Sequence, residues 1–439
     1  MSQAAGAPAG EKDLTAAPGV ALLNLGCRVN RVELDLMAGQ LEAAGVALCD
    51  QAEAAAVVVN TCAVTGEAEA KTRHVVRHAA ALPQAPLVVA TGCVANLFAD
   101  ELSALAPNVV VEKDKGRVAA LVLEELGRPA CDAAEAAEAA SLTPTPTGRT
   151  RPGIKIQDGC DNRCTYCIVW KARGRARSVA PDEVEASIRA AQARGAHEVV
   201  LTGINLGSYR AADERGRELA LPGLLRRLLE TTDVERIRLS SIEPPDVTPE
   251  LCAVMAEAGE RVAPFLHVCL QSGCDETLRR MARVYRTDLF ARAVDTAREA
   301  LPHLALGTDL IVGFPGETDE EFAASLAFCE RMRFAKMHVF RYSKRPGTPA
   351  ATMEGQVPPS VSAARSRQAR DLAERLRREE ASRLVGTDDL VVVQYPGRAV
   401  SGGLFDVQVD PTIPLDSLVR VRFSSITPAG TLVGSTLPA

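Results

Sequence analysis

The chain has 439 residues, of which 47% are hydrophobic and 24% charged, and its formal net charge is −6. This length predicts two or three domains with the composition of a soluble globular protein, and the acidic balance excludes a uniformly basic nucleic-acid binder. No apolar run is long enough to cross a membrane, and the first residues lack a signal-peptide pattern, so we expect a cytoplasmic protein without membrane contact. In that reducing compartment, twelve cysteines favour metal binding or thiol chemistry over disulfides.

The region 19–127 alternates short apolar runs with helical stretches, and we expect the lead over 1–18 to be disordered. The stretches 31–44 and 68–81 are long enough for helices. Strands that alternate with helices are typical of a parallel sheet that is covered on both faces. The predicted strands are 20–25, 54–59, 86–90 and 108–111. We therefore predict an N-terminal α/β domain with a parallel sheet.

Residues 128–149 are rich in alanine, threonine and proline, which predicts a linker. A second series of strands and helices follows over 150–385, in which Thr248 and Thr318 are predicted to begin helices as N-caps. Six strands with five intervening helices predict a partial, TIM-like β/α barrel, because a complete barrel needs eight such units. The predicted strands are 154–157, 198–202, 236–242, 265–270, 304–312 and 335–340.

A charged helix over 361–385 ends this second domain, and residues 386–439 form a third. The third domain has about five short β runs with glycine and proline turns, which predict a small β-barrel. From Thr387 onward, three arginines face five aspartates. A β-barrel that grips RNA should be basic, so we expect this one to orient the substrate or only to support the core.

Three cysteines, Cys160, Cys164 and Cys167, are here called the loop triad, and their spacing is C-x3-C-x2-C. Three thiolates on one loop can each hold one iron of a [4Fe–4S] cluster. The fourth iron is then free to chelate the amine and carboxylate of a small molecule and to pass it an electron. The alternatives are structural burial or a zinc site, but closed zinc sites need four ligands and no fourth cysteine or histidine lies nearby.

Three further cysteines, Cys27, Cys62 and Cys93, each follow a predicted strand and are here called the sheet-edge triad. If those strands are parallel, the three thiols meet at one sheet edge, where open α/β sheets bind ligands. We favour a second three-thiolate cluster there, and the alternative is three independent buried thiols. The remaining cysteines are expected to be core or incidental residues: Cys49, Cys131, Cys252, Cys269, Cys274 and Cys329.

Both triads together, with a series of ordered motifs, resemble the methylthiotransferase family of radical S-adenosylmethionine enzymes over nearly the whole chain. The matching segments are LGCRVN at 25–30, NTCAVT at 60–65, QDGC at 157–160, LTGIN at 201–205, SSIEP at 240–244, LQSG at 270–273 and GFPGET at 313–318. The branch that it resembles most makes 2-methylthio-N6-threonylcarbamoyladenosine in tRNA. The resemblance implies a methylthiotransferase domain, a radical core and a TRAM-like β-barrel.

The resemblance also implies two [4Fe–4S] clusters. One cluster, on the loop triad, would bind S-adenosylmethionine and cleave it reductively to a 5′-deoxyadenosyl radical. The other, auxiliary cluster, on the sheet-edge triad, would carry the sulfur that a first S-adenosylmethionine methylates. The radical would activate C2–H of the adenine, where the methylthio group is installed. The implied partners are tRNA and a low-potential electron donor, and we expect a monomer.

Several residues near the predicted strand ends suit contacts to the cofactor. Tyr166 can pack on the adenine, Gly203 allows close backbone approach, and Asn205 can hydrogen-bond a ligand amine or hydroxyl. The predicted cofactor-binding residues are Tyr166, Gly203, Asn205, Glu243, Gln271, Ser272 and Asp309. Each also has a simpler explanation as a residue of a turn that ends a strand.

Four cations follow the loop triad and alternate with small residues: Lys171, Arg173, Arg175 and Arg177. They suit phosphate contacts beside an active-site mouth, although a solvated loop would have the same pattern. Trp170 lies beside them and can stack on a base or only pack. The alternative substrates are an isopentenyl-type adenosine in tRNA and an aspartate of a ribosomal protein, and a non-catalytic iron–sulfur or zinc scaffold is the alternative outside enzymes.

Overall fold

The computed structural model describes residues 19–63, 66–128 and 150–437. The expected disordered lead, residues 129–149 of the expected linker, and Cys131 lie outside these residues, as do the last two residues of the NTCAVT segment. Within the described ranges, no helix is both long and apolar enough to span a lipid bilayer.

The N-terminal region contains a parallel sheet with the strand order β1-β2-β3-β4. Its strands are β1 (Gly19–Asn24), β2 (Ala54–Thr61), β3 (Leu87–Gly92) and β4 (Val109–Val111). Its helices are α1 (Arg28–Ala43), α2 (Gly66–Ala80), α3 (Cys93–Leu97), α4 (Ala99–Ser103) and α5 (Val118–Glu125). The predicted parallel sheet is confirmed.

Strand β2 shows why this sheet is covered on both faces. Successive side chains of a strand point to opposite faces. Val57 and Val59 belong to a buried cluster with residues of α2, α3 and α4, whereas Ala56 and Val58 belong to another with residues of α1 and α5. Because both faces are apolar, the strand appears in the sequence as a continuous apolar run.

The central region carries eleven strands. They are β5 (Gly153–Lys155), β6 (Gln157–Asp158), β7 (Arg177–Ser178), β8 (Glu198–Thr202), β9 (Arg210–Ala212), β10 (Glu218–Ala220), β11 (Arg236–Leu239), β12 (Ser241–Ile242), β13 (Phe265–Val268), β14 (Ala305–Val312) and β15 (Lys336–Arg341). Parallel pairing gives the orders β5-β8-β11 and β12-β13-β14-β15. Only Ser240 separates β11 from β12, so there are six strand positions. The predicted partial barrel is confirmed.

The helices of this region are α6 (Val169–Arg173), α7 (Pro181–Ala193), α8 (Leu221–Thr231), α9 (Pro249–Ala258), α10 (Asp275–Arg280), α11 (Thr287–Ala300), α12 (Asp319–Met332) and α13 (Pro359–Ser382). Thr248 caps α9 by accepting the Leu251 N–H, and Thr318 forms a capping box with Glu321 at α12. Helix α7 begins at Pro181, because proline suits the first helical turn.

The C-terminal region is a closed five-stranded barrel with the order β16-β17-β18-β20-β19. Its strands are β16 (Asp388–Tyr395), β17 (Arg398–Ser401), β18 (Asp406–Gln408), β19 (Leu418–Ile426) and β20 (Leu432–Thr436). Its apolar interior continues into Phe265, Ala305 and Ala335, which lie at or just before the first residues of β13, β14 and β15. The β-barrel therefore packs against the amino ends of the core strands, as a supporting role requires.

A buried ion group fixes the β-barrel to the core. Glu198 on β8 accepts from Arg236 at 2.6 Å and from Arg238 at 2.7 Å. The same two guanidinium groups donate to the carbonyls of Leu390 and Gly402 in the β-barrel, each at 2.6 Å. Burial opposes ionisation of Glu198, but the two arginine charges outweigh it and lower its pKa to about 2. The acidic β-barrel is thus attached through backbone carbonyls, in addition to the ion pairs of Arg420 with Glu260 and of Asp406 with Arg377.

A second buried ion group joins the N-terminal region to the core. The Arg173 side chain at the end of α6 is 2% exposed. It donates to Glu33 at 2.9 and 3.2 Å and to Asn30 at 2.8 Å, both on α1, and to Asp158 on β6 at 2.9 Å. Burial by itself raises the pKa of Glu33. The charge and hydrogen bonds of Arg173, together with other nearby cations, outweigh burial and lower the pKa of Glu33 to about 2.

Replacing Arg173 with methionine should show how strongly this group holds the regions together. Arg173→Met leaves two buried carboxylates without their main cation, so we expect the free energy of unfolding to fall by about 3–5 kcal/mol in denaturant titrations. The control Arg292→Met breaks an exposed pair with Asp288 and should cost less than about 1 kcal/mol. Adding Glu33→Gln to Arg173→Met should recover part of the loss. Equal losses in the two arginine variants would contradict this explanation.

Candidate active site

A cavity of about 540 Å³ lies inside the partial barrel. Its wall is built mainly from segments at the carboxyl ends of β6, β8, β12, β13, β14 and β15, with the start of α1 on one side and Leu404 of the β-barrel on another. Ligand-binding groups of β/α barrels gather at this end of the strands. All three regions of the chain therefore contribute to one open cavity.

All three cysteines of the loop triad line this cavity. Cys164 is buried, and Cys160 and Cys167 are partly exposed. Burial raises the pKa of the Cys160 thiol, and burial together with the neighbouring thiols raises the pKa of Cys167 to about 11. The loop therefore presents three sulfur ligands to one cavity.

Gly159 gives the loop its starting direction. Its φ is +70°, and a Cβ at this position would lie 1.9 Å from the Arg175 carbonyl oxygen. The next residue, Cys160, donates its N–H to the Gly174 carbonyl at 3.1 Å. Only glycine allows this close approach of two backbone segments. The close approach turns the first cysteine of the loop triad toward the cavity.

The middle of the loop is tied to the core. Thr165 donates its N–H to the Met281 carbonyl at 3.0 Å and its hydroxyl to the Arg280 carbonyl at 2.9 Å. Tyr166 lines the cavity, with its ring edge-on to Phe314 at 6.4 Å between centroids. Phe314 is fully buried, so Tyr166 has a rigid support, and its position agrees with the predicted contact to a planar ligand.

Arg283 is a functional residue that the motifs did not reveal. It donates to the Cys164 sulfur at 2.9 Å, to Glu243 at 2.6 Å and to the Tyr285 hydroxyl at 3.0 Å. Glu243 also accepts two hydrogen bonds from Asn162 in the cysteine loop, each at 3.0 Å. Glu243 therefore lines the cavity as predicted, but its carboxylate braces the cysteine loop and is not free for a ligand.

Gly203 and Asn205 follow β8, and both line the cavity. A Cβ on Gly203 would meet the Gln157 side chain at 3.0 Å, so the glycine admits that side chain. The side-chain amide oxygen of Gln157 then accepts the N–H groups of Ile204 and Asn205, each at 2.9 Å. The side-chain oxygen of Asn205 is buried without a partner among the described residues. A ligand amine or hydroxyl would satisfy it.

The other predicted cofactor-binding residues divide into two groups. Gln271 and Asp309 line the cavity, and the Asp309 carboxylate lies 3.1 Å from the His267 Nε2. Ser272 does not line it, because its side chain is fully buried against Ser325, with 3.1 Å between the hydroxyl oxygens. We therefore leave Ser272 out of the proposed ligand contacts.

Cys269 was expected to be incidental but lines the cavity beside His267 and Asp309. The ligand atoms of these three residues lie within 4.8 Å of one another. Burial raises the pKa of the Cys269 thiol well above its ordinary value, and the Asp309 charge raises it further. A neutral thiol is a poor metal ligand, so this group suits a hydrogen-bonded ligand better than an ion.

Among the described residues, four cysteines lie outside the cavity and outside both triads: Cys49, Cys252, Cys274 and Cys329.

The sheet-edge triad is aligned by strand register. Thr61 at the end of β2 pairs with Gly92 at the end of β3, and Cys62 and Cys93 are the next residues of these strands. Cys27 follows β1, which is the parallel neighbour of β2 on its other side. Cys27 lines the cavity, whereas Cys62, directly after β2, and Cys93, the first residue of α3, are buried. The common edge expected from the sequence is thus present in the register.

Two buried asparagines support the sheet-edge triad. Asn30 accepts the Cys27 thiol at 3.3 Å and donates to the Asn60 side chain at 2.9 Å and to the Thr61 carbonyl at 2.8 Å. Asn60 in turn donates to the Asn30 carbonyl at 2.7 Å. Both asparagines are fully buried, and their mutual bonds hold the start of α1 against the end of β2.

The four predicted RNA contacts do not share one environment. Arg173 is buried in the ion group between the N-terminal region and the core, so the prediction that it contacts phosphate is corrected. The side chain of Arg175 is 89% exposed and that of Arg177 is 61% exposed, the latter with Asp158 at 2.8 Å. Lys171 is exposed and donates to the Gly347 carbonyl at 2.6 Å. These three remain available to a polyanion.

Strand β15 contributes residues that sequence reasoning missed. Lys336 and His338 alternate with Met337, and both line the cavity. Two polar residues at a spacing of two point to the same face of a strand, and this pattern could have been noticed beforehand. Arg283 had no such signal, because its role depends on the folded position of α10 against the cysteine loop.

We expect Gly159→Ala to disturb the cysteine loop by more than the strain of a positive φ, because the added Cβ would also clash with the facing backbone. The matched control is Gly216→Ala, since Gly216 has φ +74° with nothing within 4 Å of its added Cβ. We expect the control to lose about 1–2 kcal/mol of unfolding free energy from backbone strain. Gly159→Ala should lose clearly more and should speed the labelling of Cys160 by a thiol reagent. Equal stability and equal labelling would contradict the proposed close approach.

Two family models match most of the chain between residues 19 and 329. Residues 154–329 match the model of the radical SAM superfamily, and residues 19–112 match that of the uncharacterized protein family UPF0004. Among solved structures, the radical S-adenosylmethionine methyltransferase TsrM from Kitasatospora setae aligns with a TM-score of 0.54 at 17% identity, over 76% of this chain and 77% of that one. At that identity the likeness concerns the fold alone.

Curated relatives are considerably closer. The chain is 36% identical to the threonylcarbamoyladenosine tRNA methylthiotransferase MtaB of Thermotoga maritima, over 86% of each protein. It is 37% identical to the MtaB protein of Bacillus subtilis, over 83% of this chain and 82% of the relative. It is 39% identical to a tRNA-2-methylthio-N(6)-dimethylallyladenosine synthase of Thermobifida fusca, over 85% and 77%. The chain therefore belongs to the radical S-adenosylmethionine family of tRNA methylthiotransferases, enzymes that use [4Fe–4S] clusters and S-adenosylmethionine.

Proposed function

We propose that the chain converts N6-threonylcarbamoyladenosine beside the anticodon of tRNA to its 2-methylthio derivative. One S-adenosylmethionine would serve as methyl donor and another as radical source. The observation that carries the proposal is that one cavity is lined both by the loop triad and by Cys27 of the sheet-edge triad. Replacing an adenine C–H bond with a C–S bond needs radical activation and a sulfur source at the same place.

The spacing of the cysteines fits two clusters better than two single ions. Among the described residues, only His267, Cys269 and Asp309 bring three potential ligand atoms within 4.8 Å of one another. In neither triad, therefore, do all three sulfurs lie within 4.8 Å of one another. In a zinc site with bonds of about 2.3 Å, the sulfurs would lie closer than that. A four-iron cube separates its cysteine ligands further, so we assign one [4Fe–4S] cluster to the loop triad and one to the sheet-edge triad.

When bound, the clusters and S-adenosylmethionine supply the electron, the radical and the sulfur. The chain's own residues hold these groups in place. Arg283 fixes Cys164 and Glu243, and the unpartnered Asn205 oxygen accepts a hydrogen bond from the amine or a hydroxyl of S-adenosylmethionine. Tyr166 covers one side of the same space. These groups are pre-positioned by packing, which lowers the entropy lost on binding.

The charge of the cavity favours a threonylcarbamoyl group over an isopentenyl group. The former ends in a carboxylate and a hydroxyl, whereas the latter is a hydrocarbon. Lys336 lines the cavity, and its ammonium group makes no ion pair or side-chain hydrogen bond with the described residues. Burial lowers its pKa, and the charges of Arg377, Arg151 and Arg28 lower it further. A carboxylate would neutralise this site, and a hydrocarbon would leave a desolvated cation unpaired.

The exposed cations after the loop triad suit the tRNA backbone. The exposed cations are Lys171, Arg175 and Arg177, which follow Trp170 in the sequence. Trp170 lines the cavity. Arg163 stacks over the Trp170 ring at 4.5 Å from its centroid. We propose that the cations contact phosphates and that Trp170 packs on a base next to the modified one.

The remaining partners follow from the same reaction. We propose that a low-potential electron donor reduces the loop-triad cluster, and that the chain acts as a monomer in the cytoplasm, where reducing conditions keep its cysteines free. The second candidate substrate is isopentenyl-type adenosine in tRNA, because relatives named for each nucleoside have similar identity to this chain.

Anaerobic reconstitution followed by nucleoside analysis tests the function. We expect about eight irons per chain, and about four after alanine replacement of either triad. With reductant, S-adenosylmethionine and tRNA bearing N6-threonylcarbamoyladenosine, mass spectrometry should detect the 2-methylthio nucleoside only in the chain with both triads intact. A protein that binds zinc but no iron would refute the assignment, and methylthiolation of isopentenyladenosine alone would favour the second substrate.

Lys336→Met tests the choice of substrate. We expect kcat/KM for threonylcarbamoyl-bearing tRNA to fall by about tenfold to a hundredfold, mainly through KM, because a charge-assisted hydrogen bond is lost. The control Lys113→Met makes the same change at an exposed position outside the cavity and should leave kcat/KM unchanged. For isopentenyl-bearing tRNA, we expect kcat/KM of Lys336→Met to equal or exceed that of the parent chain. An equal fall for both tRNAs would contradict a carboxylate contact.

A further inference from the structure

A second cavity, of about 230 Å³, lies between α1, the segment that leads into β5, and β16 of the β-barrel. We call it the side cavity. Its lining includes three arginines, Arg28, Arg31 and Arg151, and one acidic residue, Asp35. Arg31 pairs with Asp35 at 2.8 Å. The lining therefore carries more positive than negative charge, which favours an anion.

Among the described residues, the guanidinium of Arg151 has no hydrogen-bond acceptor. The side chain is 19% exposed, and its Nε is buried without a partner. Glu198 Oε1 lies 3.8 Å from Nη1, which is too far for a hydrogen bond, and this carboxylate is already bonded to Arg236 and Arg238. Nε and Nη2 together form the edge of a guanidinium that can bind two oxygens of one anion.

The charges around Arg151 show the same shortage of anions. Burial lowers the pKa of its guanidinium to about 10. The Glu198 charge opposes this effect, whereas the charges of Arg238, Arg28 and Arg236 add to it. A buried charged donor that stays unsatisfied is unfavourable, so a bound anion would stabilise Arg151 more than an arginine that is already paired.

The side cavity adjoins the active-site cavity. Arg28, the residue after Cys27, lines both of them. The charges of Arg28 and Arg151 also act on Lys336 in the active-site cavity. Pockets for whole small molecules usually measure about 300–1,000 Å³, so the side cavity suits a single anionic group of a larger ligand. A ligand that reaches both cavities would place its reacting part in the larger one.

We propose that the side cavity binds one backbone phosphate of the same tRNA strand whose adenosine occupies the active-site cavity, with Arg151 and Arg28 as its contacts. This inference rests on the proposed function, because it needs tRNA as the substrate. The guanidinium edge of Arg151 donates to two phosphate oxygens, and Arg28 adds a second positive charge where the two cavities meet. A phosphate held here fixes the strand relative to the active-site cavity, so Arg151 is a positioning residue for the reacting adenosine.

Neutralising single phosphates tests this contact without turnover. The ligand is an anticodon stem-loop that carries N6-threonylcarbamoyladenosine, with one methylphosphonate placed in turn at each phosphate of the loop. Its binding to the reconstituted full-length chain is measured by fluorescence anisotropy without reductant. For the parent chain, we expect neutralisation of a contacted phosphate to weaken the Kd by about tenfold, because a charge-assisted hydrogen bond is lost. At one of these positions, the same neutralisation should leave the Kd of Arg151→Gln nearly unchanged.

The salt dependence of binding gives a second readout. Loss of one phosphate contact should reduce the slope of log Kd against log salt concentration by about 0.7 in Arg151→Gln, whereas a purely structural defect would not change it. The matched control is Arg226→Gln, which removes the same charge from an exposed residue of α8 that lines neither cavity. The control should keep the slope and the full effect of neutralisation at every position.

Iron content and methylthiolation are measured for the same preparations. A parent chain that binds iron but does not methylthiolate tRNA bearing N6-threonylcarbamoyladenosine refutes the proposed function, and this inference with it. A parent chain that does so, with the same effect of neutralisation at every position in Arg151→Gln, overturns this inference alone. If Arg151→Gln does not bind full iron, Arg151→Lys decides, because it keeps the charge but not the edge with two donors. A smaller effect at one position then supports the inference, and unchanged effects at every position overturn it.

Discussion

The active site depends on one buried guanidinium, that of Arg173. It ends α6, the helix into which the loop triad leads, and it bonds to Asn30 on α1, the helix that starts after Cys27. Asn30 also accepts the Cys27 thiol. Asp158, another acceptor of Arg173, accepts the N–H of Gly159 directly before Cys160. One ion group thus positions the first cysteine of each triad, so the two halves of the cavity cannot shift independently.

Charged groups connect the three regions in addition to apolar surface. A buried carboxylate is tolerated only when its oxygens are well bonded, and both Glu33 and Glu198 satisfy this with arginine partners. Such bonds are directional, and any other arrangement would leave charges buried without partners. Apolar contact alone would allow sliding between the regions. For a reaction that needs two triads at one cavity, we infer that this restriction on relative position matters more than the net stability of the ion groups.

The sequence predicted those features that follow from local pattern. The strands of both sheets, the common edge of Cys27, Cys62 and Cys93, and the partial barrel all derive from apolar periodicity and strand order. Arg173 shows where such reasoning ends: in the sequence it is one of four alternating cations, and only its burial against Glu33, 140 residues away in sequence, separates it from Arg175. Long-range partners of charged residues leave no periodic trace, so the ion groups could not be predicted.

The acidic β-barrel is consistent with a tRNA substrate once its position is known. It contacts the amino ends of the core strands, at the opposite end from the cysteine loop, and two of its arginines are already paired, Arg420 with Glu260 and Arg422 with Asp388. Phosphate contacts need positive charge only around the mouth, where Lys171 and Arg175 are exposed. A net charge of −6 therefore does not oppose RNA binding here. The local charge around the cavity mouth matters more for phosphate contacts than the net charge of the chain.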